Sequence, residues 1–244
     1  MDNGTSKKIM LEDKSMLAYE IFGAGFPLIL LHGNGNDRTY FEHQIPYFAQ
    51  NFRVIVVDSR GHGQSTNQQD ALSYQLMAED LNTLFCYEKI QSAHILGFSD
   101  GANVAMAFAA TYPGKVAKLI LNAGNYAVKG VKPLIRIVTD IQYAFVSFLA
   151  LFSTYFRKRK AVIRLMIQPT GLSKTALKKI SAETLVIVGK KDIIKIEHSM
   201  SIASAIPHAK FVLIPNQGHL LAQTSPKTFN TEVVNFLMGG EKNR

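Results

Sequence analysis

Gly97-Phe98-Ser99-Asp100-Gly101 lies between two runs of different character. Ahead of it, Ala93-His94-Ile95-Leu96 reads as a short buried strand. Behind it, residues 102–112 (ANVAMAFAATY) read as a helix ended by Pro113-Gly114. A serine in a strained strand-to-helix turn is held clear of the sheet edge. Small residues on either side let the backbone turn tightly and the helix approach the sheet. The bare G-x-S-x-G pattern arises by chance in roughly one chain in ten of this length. The weight therefore rests on the flanks and on the partner residues further along the chain.

Working outward, continuous apolar runs recur at 27–31 (PLILL), 54–57 (VIVV), 116–121 (VAKLIL), 185–188 (LVIV) and 211–214 (FVLI). Runs of this kind suit strands buried on both faces. Helical patterns are expected between them at 40–50, 72–87, 102–112, 196–205 and 228–238. The alternation predicts an α/β fold with a mostly parallel sheet flanked by helices. Residues 7–12 and 16–22 flank Asp13-Lys14-Ser15 and predict an N-terminal antiparallel hairpin. At 244 residues the chain suffices for one large domain with a sizeable core.

The alternation breaks once, over residues 125–180, which are helical in character and carry no clear strand. Eleven basic residues and one acid, Asp140, lie between Asn122 and Ala182, a charge of +10. The remaining 16 basic and 17 acidic residues leave the rest of the chain at −1, so the overall +9 belongs to this insertion. A uniform nucleic-acid-binding surface is not expected. Residues 141–156 (IQYAFVSFLALFSTYF) are uncharged, and Arg157-Lys158-Arg159-Lys160 follows directly. The run is too short to span a bilayer, which takes about 20 apolar residues. A lid helix with its apolar side over a pocket is expected; weak contact with an anionic membrane surface is the alternative.

A serine hydroxyl attacks well only when a base takes its proton and an acid orients that base. Asp192 follows residues 185–188 through Gly189-Lys190-Lys191. His219 follows residues 211–214 through Pro215-Asn216-Gln217-Gly218. Both fall just past C-terminal strand ends, where the sites of open α/β sheets gather. Singly, Asp192 reads equally as a turn residue and His219 as a loop histidine. Together with Ser99 they form a candidate triad converging from three strand ends. His32-Gly33-Asn34-Gly35 follows another strand, and the backbone N–H groups of Asn34 and Asp100 are candidate oxyanion donors. Phe98, Asn125, Tyr126 and Leu220 adjoin these loops in sequence and are candidates for the substrate pocket. His43, His94, His198 and His208 show no metal-ligand spacing. No cofactor or metal is expected. The polar N-terminus lacks an apolar leader pattern, and a cytoplasmic location is expected. The single cysteine, Cys86, is expected as a small buried residue of the 72–87 helix.

On these residues the chain resembles the α/β-hydrolase fold superfamily, in its cap-bearing branch of small-molecule serine hydrolases. The resemblance is carried by His32-Gly33, Asp58-Ser59-Arg60-Gly61-His62-Gly63-Gln64-Ser65, Gly97 to Gly101, Gly189-Lys190-Lys191-Asp192 and Gly218-His219. It implies a core of residues 1–124 and 181–244 with a helical, basic cap at 125–180. It implies that His32, Asp58, Arg60 and His62 brace loops, and a serine rather than an aspartate at the elbow argues against the halide and epoxide chemistry of this family. The expected activity is hydrolysis of a small carboxylic ester through an acyl-enzyme. Thioester, lactone or carbon–carbon hydrolysis of an anionic substrate is the alternative. A non-catalytic ligand- or membrane-binding role is the alternative of another class.

Overall fold

The apolar runs form the middle of a sheet. In the computed structural model, which describes residues 4–239, the strands are β1 Thr5–Met10, β2 Met16–Phe22, β3 Phe26–Leu31, β4 Phe52–Val57, β5 Ala93–Phe98, β6 Val116–Asn122, β7 Glu183–Gly189 and β8 Ala209–Ile214. They pair in the order β1-β2-β4-β3-β5-β6-β7-β8. β1 and β2 form the antiparallel hairpin, with Thr5 opposite Ile21 and Met10 opposite Met16. β2 joins β4 antiparallel, and the pairs from β4 through β8 are parallel. The fold is that of the α/β hydrolases.

Period-two alternation splits each central strand between two cores. Ile29 and Leu31 face one apolar cluster, Leu28 and Leu30 the other. Helices seal both sides: α1 Ile45–Phe48, α2 Tyr74–Tyr87, α3 Asp100–Thr111, α4 Pro133–Leu149, α5 Thr154–Arg164, α6 Lys174–Leu177, α7 Ile196–Ala205, α8 Leu221–Thr224 and α9 Pro226–Met238. α2, α3 and α7 cover the first cluster with Leu81, Phe85, Phe108 and Ile202. α1 and α9 cover the second with Phe48, Phe229 and Leu237. α3 is built of small residues and is buried from Asp100 to Ala109, so it lies close against the sheet. The Ser73 hydroxyl accepts from Leu76 N–H at 3.1 Å and caps α2, satisfying one of the free donors of its first turn.

Four expectations are corrected. The 40–50 helix is two pieces, a 3-10 turn at Arg38–Phe41 and the single turn α1. Pro46 lacks an N–H and fits only the first turn of a helix, so the helix restarts there. β1 ends at Met10 because Lys14 takes a left-handed φ of 64° and closes the turn onto Leu11. Cys86 is exposed: the buried stripe of α2 runs through Leu81, Leu84 and Phe85, and the next residue turns about 100° toward solvent. Residues 141–156 belong to two helices, α4 and α5, and their apolar side does not turn inward. Val146 is the buried residue of α4, whereas Phe145, Phe148 and Phe152 are 61%, 60% and 75% exposed. Among the described residues, no helix is long and apolar enough to cross a membrane.

Candidate active site

The turn between β5 and α3 puts Ser99 at φ 53°, ψ −116°. A non-glycine residue there carries backbone strain of about 1–3 kcal/mol, held by its surroundings. Ser99 N–H donates to Asn122 O at 2.8 Å, and Ser99 O accepts from Ala102 N at 2.9 Å. The two glycines are required by close approach. A Cβ on Gly97 would stand 2.3 Å from Gly101 O, and one on Gly101 would stand 2.1 Å from Leu31 O.

Ser99, Asp192 and His219 lie together past the C-terminal ends of β5, β7 and β8. His219 Nδ1 is 2.8 Å from Asp192 Oδ1, and Nε2 is 3.2 Å from Ser99 Oγ. A buried carboxylate only accepts, so Nδ1 carries the proton and Nε2 is left to accept from the serine. Asp192 is 1% exposed, and its Oδ1 also accepts from Ile194 N–H at 2.9 Å. The Phe98 ring tilts against the His219 imidazole at 4.9 Å, with Tyr40 stacked on Phe98 at 4.3 Å. Burial first, then the Asp192 charge, pushes the Tyr40 hydroxyl up and keeps it neutral.

The loop after β3 runs beside the elbow: a Cβ on Gly33 would stand 3.1 Å from Ser99 Cβ. His32 pins it. Ser59 N–H donates to His32 Nε2 at 3.0 Å, so Nδ1 carries the proton and donates to Gly33 O at 2.8 Å. Burial and the neighbouring His62 push His32 down to about 3, so it is neutral throughout the ordinary pH range. Asp58 accepts from Gln64 N–H and Arg38 N–H, each at 2.8 Å. Arg60 instead reaches across to Asp80 on α2, at 2.7 and 2.6 Å.

Asn34 follows Gly33 in the loop after β3 and Asp100 follows Ser99 in the turn, and among the described residues neither amide donates to a loop or turn carbonyl. Asp100 opens α3, where a helix leaves its first N–H groups without intrahelical partners. Their side chains form a buried junction. Asn34 Nδ2 donates to Asp100 Oδ2 and to Val162 O on α5, each at 2.8 Å. Tyr74 O–H donates to Asp100 Oδ1 at 2.7 Å and lies 3.2 Å from Leu165 O. Burial raises the Asp100 carboxyl above the usual range, against the lowering effect of the Asn34 and Tyr74 bonds. The junction ties the elbow, the β3 loop, α2 and α5 together.

A cavity of about 100 Å³ opens at Ser99 and Asp100. Its walls are mainly apolar, with Val131, Ile135, Met166 and Ile194 among them, and Arg136 and Asp140 border it from α4. Of the four pocket candidates only Asn125 lines it, held by Asn103 of α3 through its N–H at 2.7 Å. The other three are not among its lining residues. Phe98 is packed beneath the site between Tyr40 and His219, because alternation along β5 turns it into the second core. Tyr126 stacks on His198 at 4.3 Å. Leu220 is exposed at the start of α8, outside the lining. Sequence reasoning missed the walls supplied by α4 and by Met166 and Ile167, which lie far from the elbow in the chain.

Residues 27–162 match the family model described as alpha/beta hydrolase fold. A thermophilic esterase from Thermogutta terrifontis, solved with malate bound, superposes with a TM-score of 0.82 at 27% identity, covering 96% of this chain and 98% of that one. BpoC of Mycobacterium tuberculosis, which bears a non-heme bromoperoxidase name, is 25% identical over 254 residues, 90% of this chain and 97% of its own length. A 2-hydroxy-6-oxononadienedioate/2-hydroxy-6-oxononatrienedioate hydrolase of Burkholderia vietnamiensis is 37% identical over 137 residues, 51% of this chain and 46% of that protein.

Proposed function

This chain belongs to the alpha/beta hydrolase fold family, and we propose that it is a serine hydrolase cleaving a small carboxylic ester through an acyl-enzyme. The observation that carries the reading is the hydrogen-bonded chain from Ser99 Oγ through His219 to Asp192. His219 Nε2 takes the hydroxyl proton as Ser99 Oγ attacks the ester carbonyl. Asp192 holds the imidazole in the tautomer that can accept and stabilises its charged form. The N–H groups of Asn34 and Asp100 stabilise the oxyanion. His219 then gives its proton to the leaving alcohol and activates water to release the acid. Residues 125–180 act as the cap, with α4 roofing the cavity.

The cavity limits the acyl group. An engineered protein cavity of roughly 150 Å³ holds benzene, so about 100 Å³ favours an acyl group of a few carbons. A second reading, lactone or carbon–carbon hydrolysis of an anionic substrate, draws support from Arg136 at the cavity rim. Asp140, one turn along the same helix and on the same rim, offsets that charge, and the neutral ester is favoured.

Labelling by a fluorophosphonate probe tests the reading, followed by a p-nitrophenyl ester chain-length series. Wild type labels, Ser99→Ala does not, and turnover falls with acyl length. Labelling or full activity in Ser99→Ala would overturn the mechanism. A folded wild type that neither labels nor turns over would leave the non-catalytic binding role in its place.

A further inference from the structure

The surface changes character between residues 134 and 155. Leu134, Ile137, Ile141, Phe145 and Phe148 are each more than half exposed, and their helical spacing places them on one narrow stripe of α4. Phe152 carries the stripe on through a ring contact with Phe148 at 5.5 Å. Among the described residues, nine of the seventeen exposed large apolar side chains fall in this stretch, so it is a patch and not scatter. Basic residues bracket it. Lys129 and Lys132 precede its first apolar residue, and Lys158 lies one turn beyond the exposed Tyr155.

We propose that this face docks on the surface of an anionic lipid bilayer, with α4 lying in the interfacial plane. An outward apolar stripe with basic flanks gains from burial among acyl chains and from anionic headgroups together. Charge selects this occupant over a second copy of the chain. A self-association face would bring together two segments of +10 each, whereas anionic lipid meets that charge with its opposite. Insertion across the bilayer is excluded for α4 by its length and composition. The opposite side of α4 borders the cavity at Ser99 through Ile135, Arg136, Thr139 and Asp140. Docking therefore sets the roof of that cavity against the lipid. The docking itself does not rest on the ester-hydrolase reading.

The test is flotation of the full-length protein with phosphatidylcholine vesicles, with and without phosphatidylglycerol. Wild type and Ser99→Ala float equally with the anionic vesicles, and neither floats with phosphatidylcholine alone. The pair Phe148→Glu and Phe152→Glu, and separately Arg157→Glu with Lys158→Glu, weaken binding by about tenfold or more. Both variants keep the wild-type circular-dichroism spectrum and melting temperature, which shows that they fold. Three results would overturn the proposal: a folded wild type that floats with neither vesicle, equal flotation with both, or a wild-type dimer that the Phe148→Glu, Phe152→Glu variant dissolves.

Discussion

Replacing Gly101 by alanine adds one methyl group where the fold has no room for it. The new Cβ would stand 2.1 Å from Leu31 O, 2.5 Å from Leu31 C and 2.6 Å from His32 O. Carbon contacts are comfortable at about 3.5–4.0 Å, so α3 must retreat from β3 by roughly 1 Å. The obstructing atoms are backbone of a central parallel strand and cannot swing aside. Overpacking of this kind costs about 1–3 kcal/mol. For a chain of this size each kcal/mol lowers Tm by about 2–4 °C, so the melt should fall by roughly 2–12 °C. The same retreat moves Ser99 away from the β3 loop and so separates the two proposed oxyanion donors. A misplacement of about 1 Å is worth roughly a hundredfold in rate. Gly114→Ala is the control, since a Cβ there meets nothing within 4 Å, and it should melt and turn over as wild type. The assay is a thermal melt by circular dichroism with initial rates taken well below either Tm. Gly101→Ala with an unchanged melt and unchanged rate would refute the close approach of α3 to β3.

Two further outcomes are expected. In Asp100→Asn the amide oxygen can accept from Asn34 while its NH₂ donates to Tyr74, whose O–H turns to Leu165 O. Because burial raises the Asp100 carboxyl, wild type has that contribution in full at low pH. It loses the contribution as pH rises above the ordinary carboxylate range and through the raised value. The asparagine variant should therefore gain on wild type between about pH 4 and about pH 8 in urea midpoints; an equal difference at both pH values would contradict this. Arg136→Gln should leave KM for a neutral ester within about twofold and raise it for an ester of a dicarboxylic acid, with the difference shrinking in high salt; equal effects on both substrates would remove Arg136 from anion binding.

The strands were legible because PLILL, VIVV and LVIV are short, continuous, largely β-branched or aliphatic runs, as strands buried on both faces are. The helix at 40–50 was less so, because its pattern of apolar residues survives the break that Pro46 imposes. Ser99, Asp192 and His219 could be singled out because each lies a few residues past a strand end, a distance that is read directly from the chain. The pocket could not be read that way. Phe98 adjoins Ser99 yet faces the opposite core, since neighbours on a strand point to opposite faces. Ile135 and Met166 reach the cavity from helices whose rotation is set by packing. That same rotation decides whether the apolar side of residues 141–156 covers a cavity or meets solvent, and composition is blind to it.

The sheet order also bears on biogenesis. The serine turn takes its local sequence from the end of β5 and the start of α3, but His219 lies 120 residues further along the chain and follows β8, an edge strand of the sheet. Domains synthesised on the ribosome grow from the N-terminus. A nascent chain therefore carries Ser99 without its proposed base until residue 219 has been translated. On the proposed mechanism the serine has no base to activate it during that interval.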